Sequence, residues 1–540
     1  MPRPVKSRNQ AAPPALSLID AMKQPEFYPV RPAAVELRQT HLSYVFLAGD
    51  YVYKIKKAVR FPFVDCSSLQ KRRVLCHEEL RLNRRLAPDT YLAVIPIIRT
   101  RNGFALDESG TVDAAPVEFA VKMRRLPDDR MLEQLVRAGL ASVADLRAIA
   151  RRLVAFHAEA AAALGVKYGS PAAAWKMVAG NLEECERFVG FTCEAADLTL
   201  LSNRNREFVA AHWKMMARRA REGCVREGHG DLRCEHVCMI DGTILVFDCV
   251  EFSEALRYAD VACDLGFLAM DLDRLGASEL SRELVGAYAT GHDDELRRML
   301  PFYKCYRAAV RAKVESIRAL EREVPAAERE QARAAARQYF ALARAYACQS
   351  GNKYALVICG LSGTGKSTLA AALSRRLALP VISSDRIRKI LPSSESPEIG
   401  AYGRGLYSED FNRRTYDAML AQARRRLTEG DSVILDATFR NKAERRAVTE
   451  LATSIGARIL FVECRAEERE IIRRLDERER RGGELSDANA AVYLRQRHDF
   501  ESFDELTPDS RVTVETTEIE AAALTVERAL ERPTESFPGG

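Results

Sequence analysis

Residues 360–368 read GLSGTGKST, which places Gly360, Gly365, Lys366 and Ser367 at the fixed positions of G-x-x-x-x-G-K-[ST]. A stretch of this kind handles a nucleoside triphosphate. Its glycines let backbone N–H groups curl around phosphate oxygens, and the helix that follows adds the partial positive charge of its N-terminus. The expected cradle is Gly360, Ser362, Gly363, Thr364, Gly365, Lys366, Ser367 and Thr368. Lys366 would bridge the outer phosphates and Ser367 would ligate Mg²⁺, so ATP and Mg²⁺ are the expected cofactors. Downstream, "LPVISSDRIRK" reads as a strand ending at Asp385 and "SVILDATFRNKAERR" as one ending at Asp436. Carboxylates at the C-terminal ends of parallel strands sit where ligands bind. One could deprotonate an acceptor hydroxyl while the other holds Mg²⁺ or its water. In "EIIRRLDERERRGG", Arg474 and Arg478 are one helical turn apart and share a face. They could close over the transferring phosphoryl group and neutralise its developing charge. A solvated helix face is the other reading of that arginine run.

Far upstream, residues 229–236 read HGDLRCEH, and Asp248 follows Asp231 by seventeen residues in "ILVFDCVEF". The order fits a catalytic loop H-x-D-x-x-x-x-N except at its last position, where His236 replaces Asn. A neutral imidazole can ligate a metal, although Mg²⁺ prefers oxygen. "YVYKIKK" supplies a strand lysine and "CHEEL" its acidic partner on a helix. Lys54 and Lys56 lie on the same strand face, so alternation does not choose between them. Lys54 is the preferred one, with Glu79 as partner over Glu78.

These residues need elements to position them. Two short β-rich runs, 44–47 and 51–56, flank Ala48-Gly49-Asp50, a hairpin signal. Apolar residues at helical spacing predict a helix over 68–86, and 117–123 reads as another strand. Strands, a helix and more strands predict a small α+β lobe. From about 130 to 345 the pattern is mainly helical, interrupted by a strand–loop–strand patch at 229–252. After a short polar linker, "YALVICG" leads as a strand into the glycine-rich stretch, and strands then alternate with helices to about 515, predicting a parallel sheet. The expected organisation is a loosely ordered arm 1–30 and a bilobal domain 31–345, with an N-lobe 31–127 and a C-lobe 128–345. A linker 346–353, an α/β domain 354–530 and a frayed tail 531–540 complete it.

The chain's 540 residues are too many for a single core. Its net charge of +6 stands against 82 basic and 76 acidic side chains, which permits anionic ligands without demanding nucleic acid. The N-terminus lacks an apolar h-region, so no secretory leader is expected. No apolar run approaches the roughly 18 residues of a membrane span. Thirteen scattered cysteines without CxxC pairs read as reduced thiols in a cytoplasm.

The C-terminal constellation, over 354–515, resembles the small P-loop kinases related to polynucleotide 5′-hydroxyl kinase, gluconate kinase and chloramphenicol phosphotransferase. That resemblance implies that Asp385 contacts the acceptor hydroxyl, that Arg474 and Arg478 belong to a lid, and that Asp436, with Thr438 and Arg440, forms the Walker B side. The N-terminal constellation, over 35–345, resembles aminoglycoside phosphotransferases, whose HGD signature is matched by His229-Gly230-Asp231. It implies that Asp231 orients or deprotonates an acceptor hydroxyl and Asp248 binds Mg²⁺. It further makes "VKMRRLP" the hinge strand against adenine and Asp264 a structural aspartate. The nucleotide loop it calls for reads "RQTHLSYVF", without glycine.

The expectation is therefore a multidomain α/β enzyme with a protein-kinase-like bilobal domain and a P-loop domain whose parallel sheet is flanked by helices. It would be an ATP-dependent phosphotransferase acting on a small hydroxylated molecule. In one alternative the N-terminal domain is a degenerate sensor regulating the P-loop kinase. In another the chain is a 5′-hydroxyl nucleic-acid kinase, which only two tryptophans and a modest charge do little to support.

Overall fold

The computed structural model describes residues 17–531 except 62–63, 102, 110–113, 163–167, 290–292, 350–352, 378, 392–408, 429–430 and 482–489. The chain divides into two compact units that interleave in sequence. One comprises residues 1–141, 152–162 and 226–259, and the other comprises 142–151, 163–225 and 260–540.

The first unit is built on a six-stranded antiparallel sheet. Its strands are β1 (Val35–Gln39), β2 (Ser43–Ala48), β3 (Tyr51–Lys56), β4 (Tyr91–Thr100), β5 (Gly103–Leu106) and β6 (Pro116–Arg124). Their spatial order is β1-β2-β3-β6-β4-β5. The predicted hairpin joins β2 to β3 with Ala48 opposite Tyr51. Gly49 occupies the first turn position at φ 64°, where a two-residue hairpin favours glycine.

Helix α1 (Leu18–Met22) precedes the sheet, and α2 (Leu69–Asn83) packs on it. The Ser68 hydroxyl caps α2 by accepting the Lys71 N–H. The helix ends a turn earlier than its pattern predicted. Its buried positions are Arg72, Cys76, Glu79, Leu82 and Asn83, so polar residues share the inner face with apolar ones. The arm expected over 1–30 is corrected from Leu18 onward. Met22 and Tyr28 are buried in the lobe's core, the Tyr28 hydroxyl donates to the Met22 carbonyl at 2.6 Å, and its ring lies 4.9 Å from that of Tyr53. Residues 1–16 of that arm lie outside the described residues. A hairpin of β7 (Val237–Ile240) and β8 (Thr243–Val246) belongs to the same unit.

The second unit contains long helices, among them α3 (Ala195–Arg221), α4 (Val261–Arg274), α5 (Asp294–Leu320) and α6 (Ala326–Gln349). The linker expected at 346–353 begins inside α6. Tyr346 and Ala347 are buried, and the Tyr346 hydroxyl donates to Asp273 at 2.7 Å, which keeps the helix wound through that segment.

Five parallel strands follow: β9 (Tyr354–Cys359), β10 (Val381–Ser383), β11 (Val433–Asp436), β12 (Arg458–Arg465) and β13 (Arg511–Glu515). They are ordered β10-β11-β9-β12-β13. The helices around them are α7 (Lys366–Leu377), α8 (Ser384–Ile390), α9 (Glu409–Thr428), α10 (Lys442–Ile455), α11 (Glu468–Arg481), α12 (Ala490–His498) and α13 (Ile519–Glu531). Strand β9 is buried throughout. Tyr354, Leu356 and Ile358 enter one core, while Ala355, Val357 and Cys359 enter the other. A strand covered on both faces must be apolar at every position, which is how "YALVIC" reads.

All thirteen cysteines are free thiols. No helix among the described residues is long and apolar enough to cross a membrane.

Candidate active sites

Strand β9 delivers the chain into the glycine loop, and Lys366 opens α7. Gly360, Gly363 and Gly365 have φ of 135°, 82° and 78°, conformations that side-chain-bearing residues rarely adopt. Space forbids larger residues as well. A Cβ on Gly360 would lie 2.7 Å from the Cys464 carbonyl oxygen, and one on Gly363 would lie 2.8 Å from Ile471 Cγ2. At Gly365 it would meet Thr516 Oγ1 at 3.0 Å and Arg474 Nη1 at 3.1 Å. The loop is therefore an anion cradle pressed between neighbouring elements, and it fits a triphosphate tail. Lys366 Nζ donates to the Leu361 carbonyl at 2.8 Å, and Thr364 Oγ1 donates to the same oxygen at 2.8 Å. A lysine folded onto its own loop is poised to exchange that carbonyl for phosphate oxygens.

Ser362, Gly363, Gly365, Lys366, Ser367 and Thr368 line one cavity of about 980 Å³ together with Asp385, Asp436, Arg474 and Arg478. Gly360 and Thr364 do not line it. They shape the loop from its other side, beside Cys464 and Tyr493. Asp436 ends β11 as expected, and Ser383 of β10 lies opposite it in the sheet. Burial pushes the Asp436 carboxyl above its ordinary value, against the opposing pull of Lys366 and a hydrogen bond with Ser367. Mg²⁺ at nucleotide sites takes one or two carboxylates, phosphate oxygens and water. The Ser367–Asp436 pair is a donor set of that kind.

Asp385 lies in the first turn of α8 rather than at the end of its strand, because β10 stops at Ser383. Arg388, one turn on, holds its carboxylate at 3.0 Å and also donates to Asn412. Arg474 reaches the Thr516 carbonyl at 3.0 Å and pairs with Glu470 at 2.7 Å. Arg478 faces the same cavity, so the predicted arginine pair shares one face.

Two loop supports escaped the sequence reading. Gln496 of α12 accepts the Ser362 N–H at 3.0 Å. Thr516, just beyond β13, donates to the Thr364 carbonyl at 2.7 Å. Neither belongs to a local pattern, and the only signal was proximity in the folded chain.

The first unit brings the upstream residues together in the same way. Lys54 Nζ lies 2.9 Å from Glu79 Oε1 and 2.6 Å from Asp248 Oδ1. Burial would lower the Lys54 ammonium's pKa, but Asp248 and Glu79 hold it well above its ordinary value. Burial likewise opposes ionisation of Asp248 and Glu79, and the lysines more than offset it, so both carboxyls are held low. Asp248 sits at φ 62°, a left-handed conformation costing about 1–2 kcal/mol for a residue with a side chain. Two flanking hydrogen bonds hold it there. The Asp248 N–H donates to Tyr91 Oη at 3.2 Å, and the Cys249 N–H donates to Asn83 Oδ1 at 2.8 Å. Strain fixed by its surroundings is a mark of functional positions.

Asp231 lies beside this cluster. His236 bridges the two aspartates, its Nδ1 at 3.6 Å from Asp231 Oδ2 and its Nε2 at 3.7 Å from Asp248 Oδ2. His236 Nδ1 is 2.7 Å from the Asp231 carbonyl and Nε2 is 3.2 Å from Arg233 Nη2, so the ring's coordinating lone pair is engaged by Arg233. Arg233 also donates to Asp231 at 3.1 Å. It stands in the quoted HGDLRCEH, but its type alone did not mark it. Glu78, the alternative to Glu79, points elsewhere and pairs with Arg81 at 2.8 Å and Arg257 at 3.1 Å. Asp264 is buried in α4.

An antiparallel lobe with a Lys–Glu–Asp cluster beside an HGD loop, followed by a P-loop on a parallel sheet, defines a chain of two kinase-type folds in tandem. A family model described as an AAA domain matches residues 356–503. The chain is 33% identical over 439 residues to the uncharacterized protein Rv2004c of Mycobacterium tuberculosis, covering 80% of this chain and 84% of that one, and it belongs to the same family. Two solved structures are similar to its parts. One is a choline/ethanolamine kinase family protein from Mesorhizobium loti, with 16% identity, 61% of this chain, 94% of that chain and a TM-score of 0.39. The other is a gluconokinase from Sinorhizobium meliloti, with 17% identity, 33% of this chain, 90% of that chain and a TM-score of 0.24.

Proposed function

We propose that the chain is an ATP-dependent phosphotransferase whose C-terminal cavity moves a γ-phosphoryl group onto a hydroxyl of a small molecule. The observation that carries this reading is the convergence of Lys366, Ser367, Asp436, Asp385 and Arg474 on a single cavity. Mg²⁺, held by Ser367 and Asp436, would supply charge neutralisation between the phosphates. The loop N–H groups and Lys366 bind and orient the triphosphate. Asp385, held in place by Arg388 at 3.0 Å, takes the proton from the acceptor hydroxyl as its oxygen attacks phosphorus. Arg474 and Arg478 offset the charge that builds on the transferred group.

The test is a screen of hydroxylated metabolites, with 5′-hydroxyl oligonucleotides as one arm, using ATP labelled at the γ-phosphate. Wild type should give a labelled product that Lys366→Ala does not. Full turnover by Lys366→Ala would move the chemistry to the first unit.

The first unit supports a second reading, a further MgATP site with Lys54 on the phosphates, Asp248 on the metal and Asp231 at an acceptor. The short Lys54–Asp248 contact beside Glu79 favours it over a degenerate sensor, because the two groups that would hold MgATP already stand together with the glutamate that positions the lysine. A labelled product that Asp231→Ala removes and Lys366→Ala leaves would establish it.

A further inference from the structure

Strand β3 presents two lysines on one face, and only one is placed to reach a nucleotide. The Lys54 side chain keeps 12% exposure, whereas that of Lys56 keeps 1% and is sealed behind it. Lys56 is nonetheless fully engaged, donating to Glu79 Oε2 at 2.6 Å and to Glu251 Oε1 at 2.5 Å. The five groups form a chain of alternating sign, Asp248–Lys54–Glu79–Lys56–Glu251.

Glu79 is the shared link. One of its oxygens faces Lys54 and the other faces Lys56. Without Lys56, the second oxygen would be buried without a donor, a costly condition in a dry interior. The carboxylate could recover only by turning both oxygens onto Lys54, drawing that ammonium away from the open side. Glu251 adds a second constraint. It stands three residues after Asp248, so the Lys56–Glu251 pair ties β3 to the segment that carries the metal aspartate.

We propose that Lys56 and Glu251 are positioning residues for the first unit's MgATP site, setting the reach of Lys54 and its separation from Asp248. This rests on the nucleotide reading of that site given above. A purely structural ion pair would behave differently, because a buried pair removed as a pair is often neutral to stability, whereas removal of one partner is not.

The experiment uses the full chain carrying Lys366→Ala, so that MgATP binding reports the first unit. To this are added Lys56→Met, Glu251→Gln and the two together. Three quantities are measured: the thermal midpoint, the Kd for MgATP, and the rate at which acetic anhydride acetylates Lys54, followed by peptide mass spectrometry. Each single variant should lower the midpoint. The double variant restores the parental net charge of the cluster and should recover the part of the midpoint that Lys56→Met loses to the unpaired Glu251, yet its MgATP Kd should stay about tenfold weaker, a 1.4 kcal/mol effect. Lys54 acetylation should also stay slower, because Glu79 now chelates that ammonium. Return of Kd and acetylation to parental values together with the midpoint would overturn the proposal. Should the double variant fail to fold, Glu251→Gln alone, which leaves Lys56 a neutral acceptor, is judged by the same Kd and acetylation rate. If the parent binds no MgATP at a site that Lys54→Met abolishes, the nucleotide reading falls, and the acetylation rate alone decides whether the pair positions Lys54.

Discussion

Asp385 and Lys366 face the same cavity with different tasks, and substitution should separate them. Lys366→Ala removes the cation that bridges phosphates and should abolish nucleotide binding at that site, measured by equilibrium binding of MgATP. Asp385→Asn keeps the shape but loses the base. It should leave the MgATP Kd within a factor of about two and lower kcat roughly 10²–10⁴-fold, the span of general base catalysis. Both residues stood out in the sequence because a phosphate cradle, and a carboxylate just past a short strand, are built from a few contiguous residues, although Asp385 opens α8 instead of closing β10. Gln496 and Thr516 were not, since each meets the loop from a distant segment and neither residue type is diagnostic. In the first unit, alternation put Lys54 and Lys56 on one face but said nothing of depth, and depth decides which lysine can meet a phosphate.

Helix α11 lies so close to the glycine loop that Gly363 has no room for a methyl group. Gly363→Ala should push α11 outward while also straining a φ of 82°. The expected result is a lower thermal midpoint together with weaker MgATP binding, because Arg474 moves with the helix.

Helix α2 is fastened by both of its adjacent glutamates. Glu79 meets the lysines of β3, and Glu78 meets Arg257, whose guanidinium also donates to the carbonyls of Val250 and Glu251 at 3.0 Å. Arg257→Met should destabilise the unit by about 3–5 kcal/mol, as breaking one side of a buried charge network does, measured by urea denaturation.

The pH response follows from the same network. Glu79's pKa is held below its ordinary 4.5 by Lys54 and Lys56 despite burial. Its contribution to stability is therefore complete above about pH 4.5 and is lost as pH falls through the lowered value. The thermal midpoint should hold down to that region and then drop, while Glu79→Gln should start lower at neutral pH and show a shallower acid limb.

Across the whole molecule, the two proposed nucleotide sites use separate residues, so their activities should be separable. Labelled-ATP turnover by Lys366→Ala and by Asp231→Ala should each lose one product, and the double variant should lose both. Loss of both products in either single variant would show that one site depends on the other. The segmentation of the chain was harder to read than its sites. The expected linker hides the end of α6, because Tyr346 is anchored to Asp273 on a helix far upstream. Leu18 onward looked like a loose arm, yet Met22 and Tyr28 complete the core of the lobe. In both cases short polar or proline-rich surroundings masked a few residues whose burial depends on distant partners.

The sequence by itself determined the chemistry on offer. A glycine cradle with its lysine and serine, an aspartate at the end of a strand or just past it, and an HGD loop with a later aspartate are local patterns, because each must present several groups to one ligand over a short stretch of chain. Tertiary structure supplied what spacing could not: the depth that separates the preferred Lys54 from Lys56, the contacts that separate the preferred Glu79 from Glu78, Arg233 beside Asp231, and Gln496 and Thr516 behind the loop. Those choices depend on depth and on contacts between segments far apart in the chain, which no spacing along the sequence encodes.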